Sequence, residues 1–355
     1  MYPFREGSFA VRNGWYVAAF AKDVTRKPLG RIIVNQPVAL YRKEDGTAVA
    51  VGGRCPHRHY PLGASSLRGD DVVCGYHGIS FGPDGRCTGI PAQTFVPGAY
   101  RIPAYPLVEH GMWLWIWPGD PDRADPALLP DLEEIGYSAP GMVAAPFYTH
   151  EVACRYQLLN DNLLDLTHLA FLHGTSIGTL ADATTPQETA KRPGFISSRR
   201  YIRNAEAPAS VRTLLSADGV IDRVSGMDFY LPGFHAGISD TSFPADHPEH
   251  PGKAIGIGRV FHAVTPATPG SCHYFFGMAT LDGVGLEESK PYLVPVIEED
   301  IFASVEIEKM LRLAGGRPDE LMIRSDRNAV EARRMLQAMM DAEERPARGL
   351  VTQDA

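Results

Sequence analysis

Four residues in two short loops constrain this chain more than any other feature. Cys55 and His57 lie in CPHRHYPL (55–62), and Cys74 and His77 lie in CGYHG (74–78). The pattern is Cys-x-His, sixteen intervening residues, then Cys-x2-His. Each loop follows a short strand-like run and offers one thiol and one imidazole. Opposed, the two loops can present two thiolates and two imidazoles to one site, which asks for a small β domain. Zinc accepts two Cys and two His. So does a [2Fe–2S] cluster in which two imidazoles replace two thiolates on one iron. Structural zinc loops more often carry two Cys together and the His pair elsewhere. Here each loop is mixed, which favours the iron–sulfur cluster. Neutral imidazoles remove negative charge and raise the potential above that of an all-Cys cluster.

This mixed ligation is the Rieske arrangement. His59, two residues past His57, reads as a loop residue and not a ligand. Cys87, Cys154 and Cys272 have no partner at metal spacing and read as small buried hydrophobes. A chain of 355 residues holds two domains or one large one. With 34 basic against 42 acidic residues, the net charge of −8 argues against a nucleic-acid or anionic-membrane surface. A local basic pocket for an anionic substrate remains compatible with it. The first twenty residues show no charged segment followed by an apolar one, and no apolar run reaches the ~18 residues of a membrane span. A cytoplasmic protein is therefore expected, and five cysteines there are not a disulfide framework.

The first third reads as β. Residues 31–51 hold two β-branched runs split by the turn Lys43–Gly46, and 70–90 hold two more around Pro83–Gly85. GMWLWIWPG (111–119) is an aromatic strand stopped by Pro118 and Gly119. The Pro/Asp-rich segment 118–134 reads as a connector, giving domains at 1–145 and 146–355. In the second, Arg155 to His173 carries a helical apolar stripe, and 195–282 alternates apolar runs with turns, as a sheet does. Residues 291–314 and 318–343 read as helices. The expected class is α+β: an all-β domain followed by an antiparallel sheet with helices.

A second constellation lies in LLNDNLLDLTHLAFLHGTSIG (158–178). On a regular helix Asp161, Asp165 and His168 fall within about 60° of one face. His173 falls roughly 140° away from His168 and needs a distorted last turn, which Gly174 permits. Two His can begin the 2-His-1-carboxylate triad of non-haem Fe(II) oxygenases. Asp300 in VPVIEEDIFASVEIEKM (294–310) is the expected carboxylate, because an acid on an apolar helix stripe is costly to bury unpaired. Glu299 is the alternative. A cluster that donates one electron makes sense beside an iron that activates O2.

With these motifs the chain resembles the Rieske non-haem iron oxygenases, specifically the terminal oxygenase components of the vanillate and dicamba O-demethylase type. The resemblance also covers RNGWYVAAF (12–20), WIWPGDP (115–121), DNLLDLTH (161–168) and SCHYFFG (271–277). It implies a helix-grip catalytic domain and a homotrimer in which one subunit's cluster serves the next subunit's iron. It implies that Asp165 bridges His77 of one chain to His168 of another. A separate reductase carrying NAD(P)H electrons is also implied. His262 corresponds to a histidine placed on the substrate carboxylate, whereas an amide used nearby is absent around His235 and Gly237. The implied reaction is O-demethylation of a small methoxy-aromatic acid with O2, releasing formaldehyde. Its rivals are hydroxylation of a methyl group or ring of another aromatic acid or sulfonate, a non-catalytic Rieske electron carrier, and a zinc-binding interaction protein.

Overall fold

The computed structural model describes residues 4–316 and 318–344. The N-terminal part contains ten short strands. They are β1 (Tyr16–Phe20), β2 (Leu29–Ile33), β3 (Gln36–Arg42), β4 (Ala48–Gly52), β5 (Ser66–Arg68), β6 (Asp71–Val73), β7 (Ser80–Phe81), β8 (Cys87–Gly89), β9 (Leu107–His110) and β10 (Trp113–Ile116). They form three small sheets: β2-β3-β4, β5-β6-β7-β8, and β1-β10-β9. The expected two runs in 31–51 are three strands. The unrecognised turn is Val34–Asn35, where φ is +48° and +61°. Two consecutive left-handed residues suit a two-residue hairpin, but Val is a poor sequence signal for one.

Seven antiparallel strands form the second part: β11 (Met142–Val152), β12 (Glu188–Arg192), β13 (Phe195–Glu206), β14 (Val220–Tyr230), β15 (Phe234–Ser242), β16 (Ala254–Thr268) and β17 (Ser271–Leu281). Their order is β11-β17-β16-β15-β14-β13-β12. Met142 already belongs to this sheet, so β11 runs through residue 145. Side chains alternate across the sheet. Phe234, Phe261 and Phe275 point to one face, where they meet Trp113 at 5.2 and 5.4 Å and Phe20 at 5.7 Å between ring centroids. This aromatic layer joins the two parts of the chain. Helices and a cavity cover the other face.

Those helices are α1 (Tyr156–Leu164), α2 (Leu180–Thr184), α3 (Ala209–Leu214), α4 (Leu286–Leu313) and α5 (Arg327–Glu344). The single helix expected over 155–173 stops at Leu164. Asp165 is extended (φ −117°, ψ 90°), and its carboxylate accepts from the Thr167 N–H, starting a 3-10 turn over Leu166–Ala170. An Asp side chain competes locally for backbone donors and so ends helices. α4 begins five residues before Pro291 and contains both Pro291 and Pro295, while 318–323 is not helical. An ion pair with a buried carboxylate ties α4 to the start of α1: Arg155 Nε donates to Glu308 Oε2 at 2.7 Å.

Candidate functional site

The two cluster loops are built alike. In each, the Cys carbonyl accepts from the N–H four residues on (His59 and Gly78, both 2.9 Å), and the Cys N–H donates to the carbonyl five residues on (Tyr60 and Ile79). Closing that turn needs a left-handed residue, and φ is +61° at His59 and +72° at Gly78. His59 therefore has a backbone task and is exposed. The turns leave Cys55 and Cys74 buried and His57 and His77 exposed, their ring centroids 4.6 Å apart. Burial raises the Cys55 thiol's pKa, while the N–H groups of His57 and Arg58 act in the opposite direction. Two thiols inside and two imidazoles outside are the donor set that would hold a mixed-ligand [2Fe–2S] cluster. Cys154 and Cys272 are free thiols buried elsewhere and hydrogen-bonded to each other, and Cys87 is half-buried.

His168, His173 and Asp300 come together, with one donor atom from each lying within 4.8 Å of the others. The helix break makes this possible. The 3-10 turn carries His168, and the turn after it returns His173 to the same point. His173 Nε2 lies 2.9 Å and His168 Nε2 3.4 Å from Asp300 Oδ1. On the outer sides, His173 Nδ1 bonds Glu299 Oε2 and His168 Nδ1 bonds the Asp165 carbonyl, both at 2.6 Å. An outer oxygen acceptor fixes the proton on Nδ1 and turns the Nε2 lone pair inward. Two lone pairs and a buried carboxylate would then repel unless a cation sits among them. Two nitrogens and one oxygen are the donors of the non-haem iron triad, so the residues fit a ferrous ion. Burial opposes a charged His173, but Asp300 and then Glu299 outweigh it and raise its pKa. Burial likewise disfavours the Asp300 carboxylate, and His173, His168 and Asn162 overcome it and lower its pKa.

The carboxylate at the triad is Asp300, with Glu299 one layer out. The sequence reading missed Asn162, whose Nδ2 donates to Asp300 Oδ1 at 2.9 Å. Its position six residues before His168 is the only trace it leaves in the sequence. Within one chain the Asp165 carboxylate does not touch the His168 ring. Its Oδ1 accepts from the Thr167 N–H and hydroxyl, and its other oxygen makes no hydrogen bond among the described residues.

The triad opens into a cavity of about 360 Å³ over the sheet, lined mainly by apolar residues such as Leu166, Met227, Val260, Phe276 and Leu293. His262 lines it, within the electrostatic reach of Asp300 and His168. Burial lowers its pKa to about 4, so the ring is neutral at pH 7. Tyr274, its pKa raised well by burial, keeps its proton; donated to His262 Nδ1 at 2.6 Å, that proton leaves Nε2–H as a donor. His235, beside it in register, bonds Asn160 at 2.9 Å and stacks on Phe229.

Comparison with known proteins agrees with this geometry. The Rieske [2Fe-2S] domain family matches residues 14–106, and the vanillate O-demethylase oxygenase C-terminal domain family matches residues 152–342. The vanillate O-demethylase oxygenase subunit of Pseudomonas sp. (strain HR199 / DSM 7063) is 32% identical over 95% of this chain and 96% of its own. The dicamba O-demethylase oxygenase component of Stenotrophomonas maltophilia is 36% identical over 77% of this chain and 79% of its own. The crystal structure of dicamba monooxygenase bound to 3,6-dichlorosalicylic acid superposes with a TM-score of 0.84 at 30% identity, covering 95% of this chain and 99% of that one. The mixed-ligand loops, the buried triad and these matches along nearly the whole length place the chain in the Rieske non-haem iron oxygenase family, as a terminal oxygenase component of a monooxygenase.

Proposed function

We propose that this chain O-demethylates a small methoxy-aromatic acid, using O2 and electrons passed from NAD(P)H through a separate reductase. The carrying observation is the apolar cavity that opens on His168, His173 and Asp300 and has His262 in its wall. A cluster on Cys55, His57, Cys74 and His77, together with a ferrous ion on the triad, supplies electrons and O2 activation. Hydroxylation of the methoxy carbon gives a hemiacetal, which breaks its C–O bond to leave a phenol and formaldehyde. The second oxygen atom leaves as water.

The chain's own residues do the positioning. Leu166, Leu293 and Ile297 exclude water from around the reacting carbon. Glu299 and the Asp165 carbonyl hold the two imidazoles with Nε2 facing the metal. His262 donates Nε2–H to a substrate oxygen near the iron. The unbonded Asp165 oxygen accepts from His77 of a neighbouring copy in a homotrimer, which links one subunit's cluster to the next subunit's iron. Supporting this, the Asp165 carbonyl accepts from His168 Nδ1 at 2.6 Å and His77 is exposed.

A screen of methoxybenzoates for formaldehyde release, with a surrogate reductase, tests the reading. Formaldehyde and the matching phenol are expected; turnover of none of them refutes it. Hydroxylation of an aryl sulfonate's methyl group is the second reading. It is favoured by 33% identity over 94% of this chain to the toluene-4-sulfonate monooxygenase iron–sulfur subunit of Comamonas testosteroni. That reaction gives an alcohol without formaldehyde.

A further inference from the structure

The cavity is larger than one aromatic ring needs. Its volume of about 360 Å³ is more than twice the ~150 Å³ of an apolar cavity that takes benzene. The surplus lies along β16. His262 is at the iron end, Val260 follows, and Gly258, four residues from His262, is about 13 Å further along the strand. The wall continues past Gly258 to Gly256 and, from α3 and the residue after it, to Val211, Leu214 and Leu215. A single-ring acid seated at the triad ends well short of this far end.

Nothing at the far end asks for a charged ligand. Ser225, Ser239 and Thr280 bring hydroxyls to the wall and no charge. Arg223 lines it too, but contacts Asp182 at 2.9 Å, so the pair carries no surplus. Asp282 lines the mouth and is exposed, which disfavours a carboxylate there.

Gly258 decides whether this end can be reached. It is buried in an interior strand and pairs with Ser239 on one side and Thr280 on the other, away from the register shifts of both ladders. Glycine weakens a strand, so it needs a reason; a bulge, a bend or a close approach supplies one. Its φ lies outside the left-handed region, and a Cβ there would meet the Ser239 carbonyl oxygen at 3.4 Å and Met278 Cε at 3.5 Å, both ordinary contacts. Two other glycines of the wall have packing reasons. A Cβ at Gly256 would lie 2.6 Å from Leu215 Cδ1, and one at Gly226 would strike the Ser198 carbonyl oxygen. For Gly258 the open cavity is what remains: a longer side chain would project into it and divide the iron end from the far end.

We infer that Gly258 is a specificity-determining residue, and that the substrate is an aromatic acid carrying an uncharged apolar arm on the side of its ring away from the iron. The inference rests on the proposed demethylation. The reacting methyl lies at the triad, an oxygen of the substrate accepts from His262, and the arm passes over Gly258 to Val211, Leu214 and Leu215.

Calorimetric titration of ortho-methoxybenzoate, and of its counterpart with a phenyl group para to the methoxy, into the oxidised, iron-loaded enzyme without reductase tests this at equilibrium. The phenyl arm should tighten binding about tenfold or more. Gly258→Leu should reduce that advantage to about twofold or less. Cluster absorbance and iron content show that the variant is folded. Gly258→Ala, the smaller step, should reduce the advantage in the same direction, and it decides the matter if the Leu variant does not fold. An arm that gives no advantage in the unaltered chain, or an advantage that survives these substitutions, overturns the inference. If the arm preference holds but neither compound yields formaldehyde with a reductase, the reaction is wrong and the inference about the cavity stands. If formaldehyde forms without the arm preference, the reverse holds.

Discussion

Asp300 would be expensive to bury alone, and what surrounds it sets what its removal does. It shares one oxygen among His168, His173 and Asn162. Asp300→Ala should lose the mononuclear iron and keep the cluster's visible absorbance. Iron retained in that variant would transfer the ligand role to Glu299. Asp165→Asn keeps the cap on Thr167 and should keep both metals, yet lower turnover by about 10- to 100-fold by weakening the link to the neighbouring cluster. Undiminished turnover would reject that role. His262 makes stability pH-dependent. Its folded pKa, lowered from 6.5 to about 4 by burial, means that above pH 6.5 the ring is neutral folded or unfolded and its stability contribution is complete. As pH falls toward about 4, the unfolded chain binds a proton that the folded ring refuses, and stability is lost. Urea midpoints should fall over that range, and His262→Gln should flatten the slope; an unchanged slope would mean that the ring is not buried neutral.

At the scale of elements, the triad depends on how α1 ends and where α4 lies. The Arg155–Glu308 pair joins them, with Glu308 2% exposed and bonded also by Arg312 at 2.9 Å. Glu308→Ala leaves the half-buried Arg155 guanidinium without its carboxylate and should cost about 2–3 kcal/mol in chemical denaturation. A loss below about 1 kcal/mol would show the pair to be solvated. The metal motifs were legible in the sequence because metal donors come from few residue types at fixed spacings. Asp300 was legible because an acid on an apolar stripe needs a reason. The break at Asp165 was not, since an Asp on a helix face and an Asp capping the next turn look the same in one dimension. Asn162 acts through Asp300, 138 residues away, and Tyr274 through His262 on the neighbouring strand, and strand register is what no local pattern records.

At the scale of the whole molecule, an aromatic layer fixes the cluster domain onto the back of the catalytic sheet, while the triad and cavity occupy its front. The cluster's exposed histidines therefore need a surface to meet. A homotrimer should appear in sedimentation at micromolar concentration, and a monomer with full turnover would remove the need for a neighbour. The central claim is that one polypeptide holds both a mixed-ligand cluster and a lone catalytic iron. Iron and acid-labile sulfide, counted per chain alongside the dithionite-reduced EPR spectrum, test it most directly. About three irons and two sulfides, with a rhombic Rieske signal, are expected. Two irons would leave an electron carrier, and zinc with no EPR signal would contradict the claim outright.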